Sequence, residues 1–413
     1  MIQLKNFYTK EGIFYDKNND GLFDGIKGKI NIRKNASITE KLAALNMLAR
    51  LSYECTAMSV DNIEFFDSDM SITENGIAVI IDEHAELNDD ETAVFISNQT
   101  LKVLSKSEKA LKTNIRYVYG RMPYVWNVGK NELTLNNVEE MLEASGVTAA
   151  VEKIILSSEH EGIKNIFLKV TSENENASYE NLSEKLDAVN MVKAFTIVSD
   201  GKESAIENKC FKKKAHSIKL KCSEEKNKKS IELSDLFSIN GIYSDSEQDL
   251  MNNRLDVKIA VDESISDLLV KSVGNLIVRT SLDCLELKLD LVETKQAAGS
   301  KNVIEIIENK SSNMARMYVD DNNSRIIIEG NEENISSLCE NIAKQYPYID
   351  KDKTIQINDL KVLLENMLSC KNYQGQTVSL ENALTDNQDA KEICLYANRS
   401  EEHTSELQSH LNL

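Results

Sequence analysis

The chain resembles itself. Shifted by 229 residues, positions 4–60 fall on 233–289 without a gap, and twelve of the fifty-seven positions are identical. The shared residues include Gly12/Gly241, Ile13/Ile242, Asp16/Asp245, Asp20/Asp249, Ser37/Ser266, Asn46/Asn275, Arg50/Arg279, Ser52/Ser281 and Cys55/Cys284. Farther on, the offset falls to 224, where Pro123 and Pro347, the only prolines, coincide. At 222, residues 135–138 meet 357–360. Shrinking offsets are what short surface-loop deletions produce. The expectation is a tandem repeat. Copy one covers 1–230, with lobes at 1–130 and 131–230. Copy two covers 231–350 and 351–398, its second lobe cut short.

Residues 399–409 resemble the conceptual translation of a sequencing adapter, so 399–413 are expected to be foreign to the gene. That reading removes His403 and His410 from any search for a site.

Within one copy, the patterns predict strands over 12–16 and 27–33 around a polar turn. Ser37 and Glu40 form a capping box that opens a helix to about residue 53. Strands are predicted at 76–82 and 92–97, a helix over 99–112, and an aromatic turn at 121–126. A second lobe follows, with helices over 135–145 and 179–189 and strands at 151–157, 163–171, 192–199 and 217–222. Strands alternating with helices predict an α/β (α+β) fold: a tandem repeat of a two-lobed unit with ferredoxin-like or mixed-sheet α/β layers.

Composition limits the function. Lys+Arg total 48 against 67 Asp+Glu, a net charge of -19. Such a field repels phosphate backbones, so neither general nucleic-acid binding nor binding to anionic membranes is expected. The opening residues lack an apolar signal region, and no run of about 18 apolar residues occurs. The seven cysteines are scattered and never form C-x-x-C, which favours thiols in a reducing cytoplasm over a disulfide framework or zinc ribbon.

Three groups of residues could carry chemistry. Asp16, Asn18, Asp20 and Asp24, with Gly21, place oxygens at positions 1, 3, 5 and 9 of a calcium-like loop. Position 12 is Lys27, where an EF-hand needs Glu. The competing reading is a hairpin turn whose Asp and Asn bond their own backbone. Asn46 and Arg50 share a helix face at i, i+4 and recur as Asn275 and Arg279. They could form a repeated ligand site, or an Arg–carboxylate tie to the Asp-rich hairpin. Tyr124 and Trp126 follow Pro123 and could stack a ring, or simply pack an element edge. A lysine island at 209–229 marks the seam between copies. It could be a partner patch, or edge-strand and linker charge. No P-loop, dinucleotide fingerprint, zincin or nucleophile-elbow motif occurs in the sequence.

Residues 7–16 and 20–24, with Ala49-Arg50-Leu51 and Pro123-Tyr124-Val125-Trp126, resemble N-terminal modules of some large bacterial proteins grouped with zinc carboxypeptidases. Phe23 departs from that pattern, which tends to have Pro there. The resemblance covers about the first 130 residues and implies the accessory front end of a hydrolase. Zinc would belong only to a downstream domain, since no residue here matches a zinc ligand of the family. The expected function is therefore a non-catalytic tandem α/β module, for binding or domain positioning, from the N-terminal part of a larger bacterial cytoplasmic protein. The alternative is the front end of a metallocarboxypeptidase-like hydrolase. Expected partners are the other copy and a C-terminal region; no cofactor is expected beyond the calcium alternative.

Overall fold

A computed structural model describes residues 2–67, 75–126, 132–144, 146–160, 162–170, 186–187, 189, 192–199, 202–209, 236–239, 241–244, 254–298, 302–320, 325–345 and 355–356. The fold is mixed α/β. The chain forms two compact units, one of residues 1–47 with 63–225, the other of 48–62 with 226–413.

The first unit begins with a 3-10 turn, Leu4–Asn6, and a two-stranded ribbon of β1 (Phe14–Tyr15) and β2 (Gly25–Ile26). The turn before β1 is tight. A Cβ at Gly12 would lie 2.1 Å from the Phe7 carbonyl oxygen, so only glycine fits there. Ile13 N–H donates to Phe7 O and Lys27 N–H to Ile13 O. In the second unit, Ile242 N–H donates to Leu236 O and Asp256 N–H to Ile242 O. These are the same bonds at an offset of 229.

Next come β3 (Ile30–Arg33), α1 (Ile38–Tyr53), β4 (Ile63–Phe66), β5 (Ile77–Ile81), β6 (Glu91–Ser97) and β7 (Thr100–Ser105). They are followed by α2 (Glu108–Gly120), β8 (Tyr124–Trp126), β9 (Glu132–Thr134), α3 (Leu135–Glu143), β10 (Ala149–Ser157), β11 (Gly162–Val170), β12 (Ala194–Ser199) and β13 (Lys202–Glu207). One nine-stranded sheet has the order β13-β12-β11-β10-β6-β7-β5-β3-β4. Because β10 pairs with β6, the lobe boundary read at residue 130 falls inside a single sheet.

One face of this sheet carries the core. Ile30, Ile32, Ile77, Val79, Leu101 and Val103 are all 0% exposed. Each such burial is worth roughly 1.5–3 kcal/mol. Helix α2 lies on this face, for Asn114 Nδ2 reaches Thr92 Oγ1 at 3.0 Å. Tyr8 joins α2 to α1, donating to Val118 O at 2.8 Å and meeting Met47 Sδ at 3.6 Å.

The second unit contains β14 (Tyr243–Ser244), β15 (Arg254–Leu255), β16 (Lys258–Val261), α4 (Asp267–Leu282), β17 (Glu286–Leu287), β18 (Val292–Thr294) and α5 (Lys295–Ala298). Then come β19 (Val303–Glu308), β20 (Arg316–Asp320), β21 (Arg325–Gly330), α6 (Glu332–Gln345) and β22 (Ile355–Gln356). Its main sheet runs β18-β16-β19-β21-β20-β22. In the first sheet the run β4-β3-β5-β7-β6 has three parallel pairings and a final antiparallel one. The run β18-β16-β19-β21-β20 has the same senses in the same places. The 229-residue offset carries the first residue of α1 onto that of α4, and the first of β4 onto that of β18.

The helix predicted over 99–112 needs correction. Residues 100–105 are β7, and α2 starts at Glu108. Leu101 and Leu104 fit a helical spacing, but Leu101 and Val103 point together into the core from a strand between β5 and β6. Asn98 and Gln99, both left-handed (φ 51 and 61), close the β6–β7 hairpin. The ribbon partner of β1 is β2, while the predicted strand 27–33 contributes β3 to the large sheet. Strands β4 and β13 have no counterpart in the sequence reading. The predicted strand at 217–222 lies outside the described residues, as does most of the helix read over 179–189.

Candidate functional site

The Asp-rich turn is an array of short-range bonds. Lys17 N–H donates to Asp24 Oδ2 at 2.6 Å, Gly21 N–H to Asp16 Oδ2 at 3.1 Å, and Leu22 N–H to Asp20 Oδ1 at 2.8 Å. Asn18 and Asp20 bond each other. Asn19 and Gly21 take left-handed φ values of 57 and 89, and Phe23 stacks on Phe14 with centroids 4.4 Å apart. Asp16 Oδ1 is buried without a hydrogen bond. Among the described residues, no group of three His, Cys, Asp or Glu side chains is placed to hold a metal. In the second unit, Asp245 and Asp249 lie outside the described residues.

The recurring helix residues are held in separate bonds. Asn46 is 3% exposed and donates to Leu42 O, one turn back. Arg50 Nε donates to Glu54 at 2.8 Å, one turn on at the end of α1. Asn275, 6% exposed, accepts the Asp61 N–H at 2.8 Å inside the second unit. Arg279 Nε donates to Ala343 O at 2.8 Å and so ties α4 to α6. Tyr124 is 40% exposed, and its carbonyl accepts from the buried Tyr117 hydroxyl. Trp126 ends β8, but its side chain lies outside the described residues, as do Tyr348 and lysines 212–229.

In open α/β sheets, ligands favour the carboxyl ends of the strands. In the first unit that edge is occupied by Glu40, 1% exposed. Its Oε1 accepts Arg33 Nη2 at 2.9 Å and Ile81 N–H at 3.0 Å. Its Oε2 accepts Ser37 N–H at 2.9 Å, completing the predicted capping box. This carboxylate is spent on joining β3, β5 and α1.

A cavity of about 490 Å³ opens at the opposite edge, where β5 and β7 begin. Gln3, Asn6, Asn75 and Gln99 line it with carboxamides, beside Glu11 and Lys27. The Thr9 hydroxyl bonds Glu11 and holds its carboxyl below the usual range. Lys27 Nζ donates to Lys10 O at 2.6 Å. The sequence reading missed this cavity, because its residues are far apart in the chain and belong to no motif. The described thiols are poor nucleophiles: Cys55, Cys284 and Cys339 are buried, and burial pushes the last two up to about 12.

No protein-family model and no curated protein sequence matches the chain.

Proposed function

We propose that the chain is a duplicated, non-catalytic α/β module from the N-terminal part of a larger bacterial cytoplasmic protein, serving to bind a partner or to position another domain. One observation carries this reading. The two units share a five-strand order, yet the recurring Asn46, Asn275 and Arg279 bond backbone groups and Arg50 bonds Glu54 one turn on. A duplicated enzyme would be expected to repeat a catalytic constellation; the repeated helix residues Asn46, Arg50, Asn275 and Arg279 support a structural role instead. The cytoplasmic setting is supported by the buried thiols of Cys55, Cys284 and Cys339, which form no disulfide with one another. Among the described residues, no helix is long and apolar enough to cross a membrane.

The test is hydrolysis by the purified chain of casein and of nitrophenyl glycosides. No turnover is expected. Turnover abolished by Asp20→Asn or Arg50→Ala would sink the proposal. The Asp16–Asp24 turn enters as a structural turn, so EDTA should leave the melting temperature unchanged; a drop restored by calcium would make it a cation loop.

The resemblance of the first 130 residues supports a second reading, the front end of a zinc carboxypeptidase-like hydrolase. A longer reading frame encoding H-x-x-E and a distal His would favour it, and a frame without them would remove it.

A further inference from the structure

The face of the nine-stranded sheet opposite the core carries a continuous row across every strand. Residues paired in register run Glu64, Asn31, Ala78, Lys102, Phe95, Lys153, Phe167, Thr196 and Ala205. The adjacent row on the same face runs Ile80, Leu104, Ala93, Ile155, Asn165 and Ala194. In these rows Asn31, Ala78, Ala93, Ile155 and Thr196 are buried, and the part-exposed residues of the middle strands are apolar or basic apart from Asn165; Glu91, on the same face of β6, is buried and answered by Lys164. Phe95, Phe167, Ile80 and Leu104 are part-exposed. Lys153 Nζ lies 4.0 Å over the Phe167 ring. Neither Lys102 nor Lys153 has a carboxylate within ion-pair distance among the described residues.

The matching row of the second unit differs in kind. It runs Glu293, Ala260, Glu305, Ile327 and Tyr318. Its carboxylates are answered within the unit: Glu293 by Lys258 at 2.7 Å and Glu305 by Arg325 at 2.6 Å. Ala260 in this row is 2% exposed and clusters with Ala298. At the positions equivalent to Glu305 and Ile327 the first unit has Ala78 and Lys102, so it lacks the carboxylate and carries a cation instead.

We propose that this face of the first unit is a docking surface for an acidic amphipathic helix of a partner protein. The proposal rests on the binding-module reading and names its surface. Charge complementarity selects the occupant. In a chain of net charge -19, Lys102 and Lys153 beside apolar rings call for carboxylates flanking apolar side chains. A second copy, face to face, would set these lysines against each other. A nucleic-acid base cannot stack on the side of Phe167 that Lys153 covers, and the overall charge repels its phosphates. From β5 to β11 the patch spans about 19 Å at ~4.8 Å per strand, the length of a helix of about 13 residues.

The experiment uses the full chain and a fluorescein-labelled three-heptad peptide of repeat Glu-Leu-Leu-Glu-Glu-Leu-Glu, followed by anisotropy. The same peptide with Lys for Glu, and an oligothymidine, are run beside it. Binding of the acidic peptide is expected, with a loss of about tenfold on Lys153→Glu and on Lys102→Glu. Lys112→Glu, the same charge change on an exposed position of α2, should leave it unaltered. Melting curves establish that each variant is folded, and Phe95→Ser gives an uncharged second variant. The proposal is overturned if the acidic peptide fails to bind, if the lysine variants bind as well as the parent, or if the basic peptide binds better. Oligothymidine binding lost in the same variants would assign the face to nucleic acid and also overturn it. Such failures leave the non-catalytic reading standing, since only turnover removes that.

Discussion

Glu91 shows how one carboxylate can couple this fold to pH. It is 7% exposed at the start of β6. Burial alone would raise its pKa, but Lys164 and the Asn88 amides bond the ionised form and the balance lies below the ordinary 4.5. A depressed folded-state value means that the stabilisation is fully present above the unfolded value. It is lost as pH falls through the folded one. Asp90 behaves alike: burial raises it, yet the Ser157 hydroxyl and nearby backbone N–H groups bring it down overall. Urea midpoints should therefore hold steady from pH 7 to about 5 and fall below about 4.5. Glu91→Gln should flatten that acid limb and cost about 1 kcal/mol at neutral pH, because Lys164 loses its partner. An unchanged acid limb in the variant would show that other carboxylates govern it.

At the scale of elements, local chemistry was legible where it acts within a few residues. Ser37 and Glu40 announce α1, and Ser107 caps α2 through the Ala110 N–H at 3.1 Å, a signal hidden by the helix misread over 99–112. Strand β7 was unreadable because its apolar spacing suits a helix as well, and only pairing with β5 and β6 decides between them. The candidate residues fared similarly. The recurrence of Asn46 and Arg279 was plain in the sequence, but their backbone acceptors, Leu42 O and Ala343 O, leave no mark there. Carboxamides gathered from residues 3, 6, 75 and 99 leave none either. The corrected hairpin makes a clear forecast. Gln99 holds φ 61 with a Cβ, so Gln99→Gly should stabilise the chain by roughly 0.5–1 kcal/mol, whereas Gln99→Val should destabilise it. Ser107→Ala should cost about 1 kcal/mol. Opposite signs for the two Gln99 variants in thermal melts are the check; a helix over 99–112 would instead favour Val over Gly.

At the scale of the molecule, the shared strand order does not divide the chain at a single cut. Residues 48–62 belong to the compact unit that otherwise starts at 226. Asp61 N–H reaches Asn275 Oδ1 at 2.8 Å, and the Tyr53 hydroxyl donates to Leu285 O at 2.6 Å. Thus Asn275, which the 229-residue offset pairs with Asn46, is completed by a segment more than two hundred residues earlier in the chain. In the full chain, Asn275→Ala leaves the Asp61 N–H without its acceptor and should cost about 1–2 kcal/mol. In a fragment of residues 226–413 the partner is gone, so the same substitution should cost only a few tenths. Chemical denaturation of the four proteins closes this cycle. Equal losses in chain and fragment would mean that Asn275 serves its own helix alone and that 48–62 adds nothing to the second unit. Unequal losses would make residues 48–62 a working part of the second unit, so that its stability depends on chain synthesised before the first unit's sheet is complete.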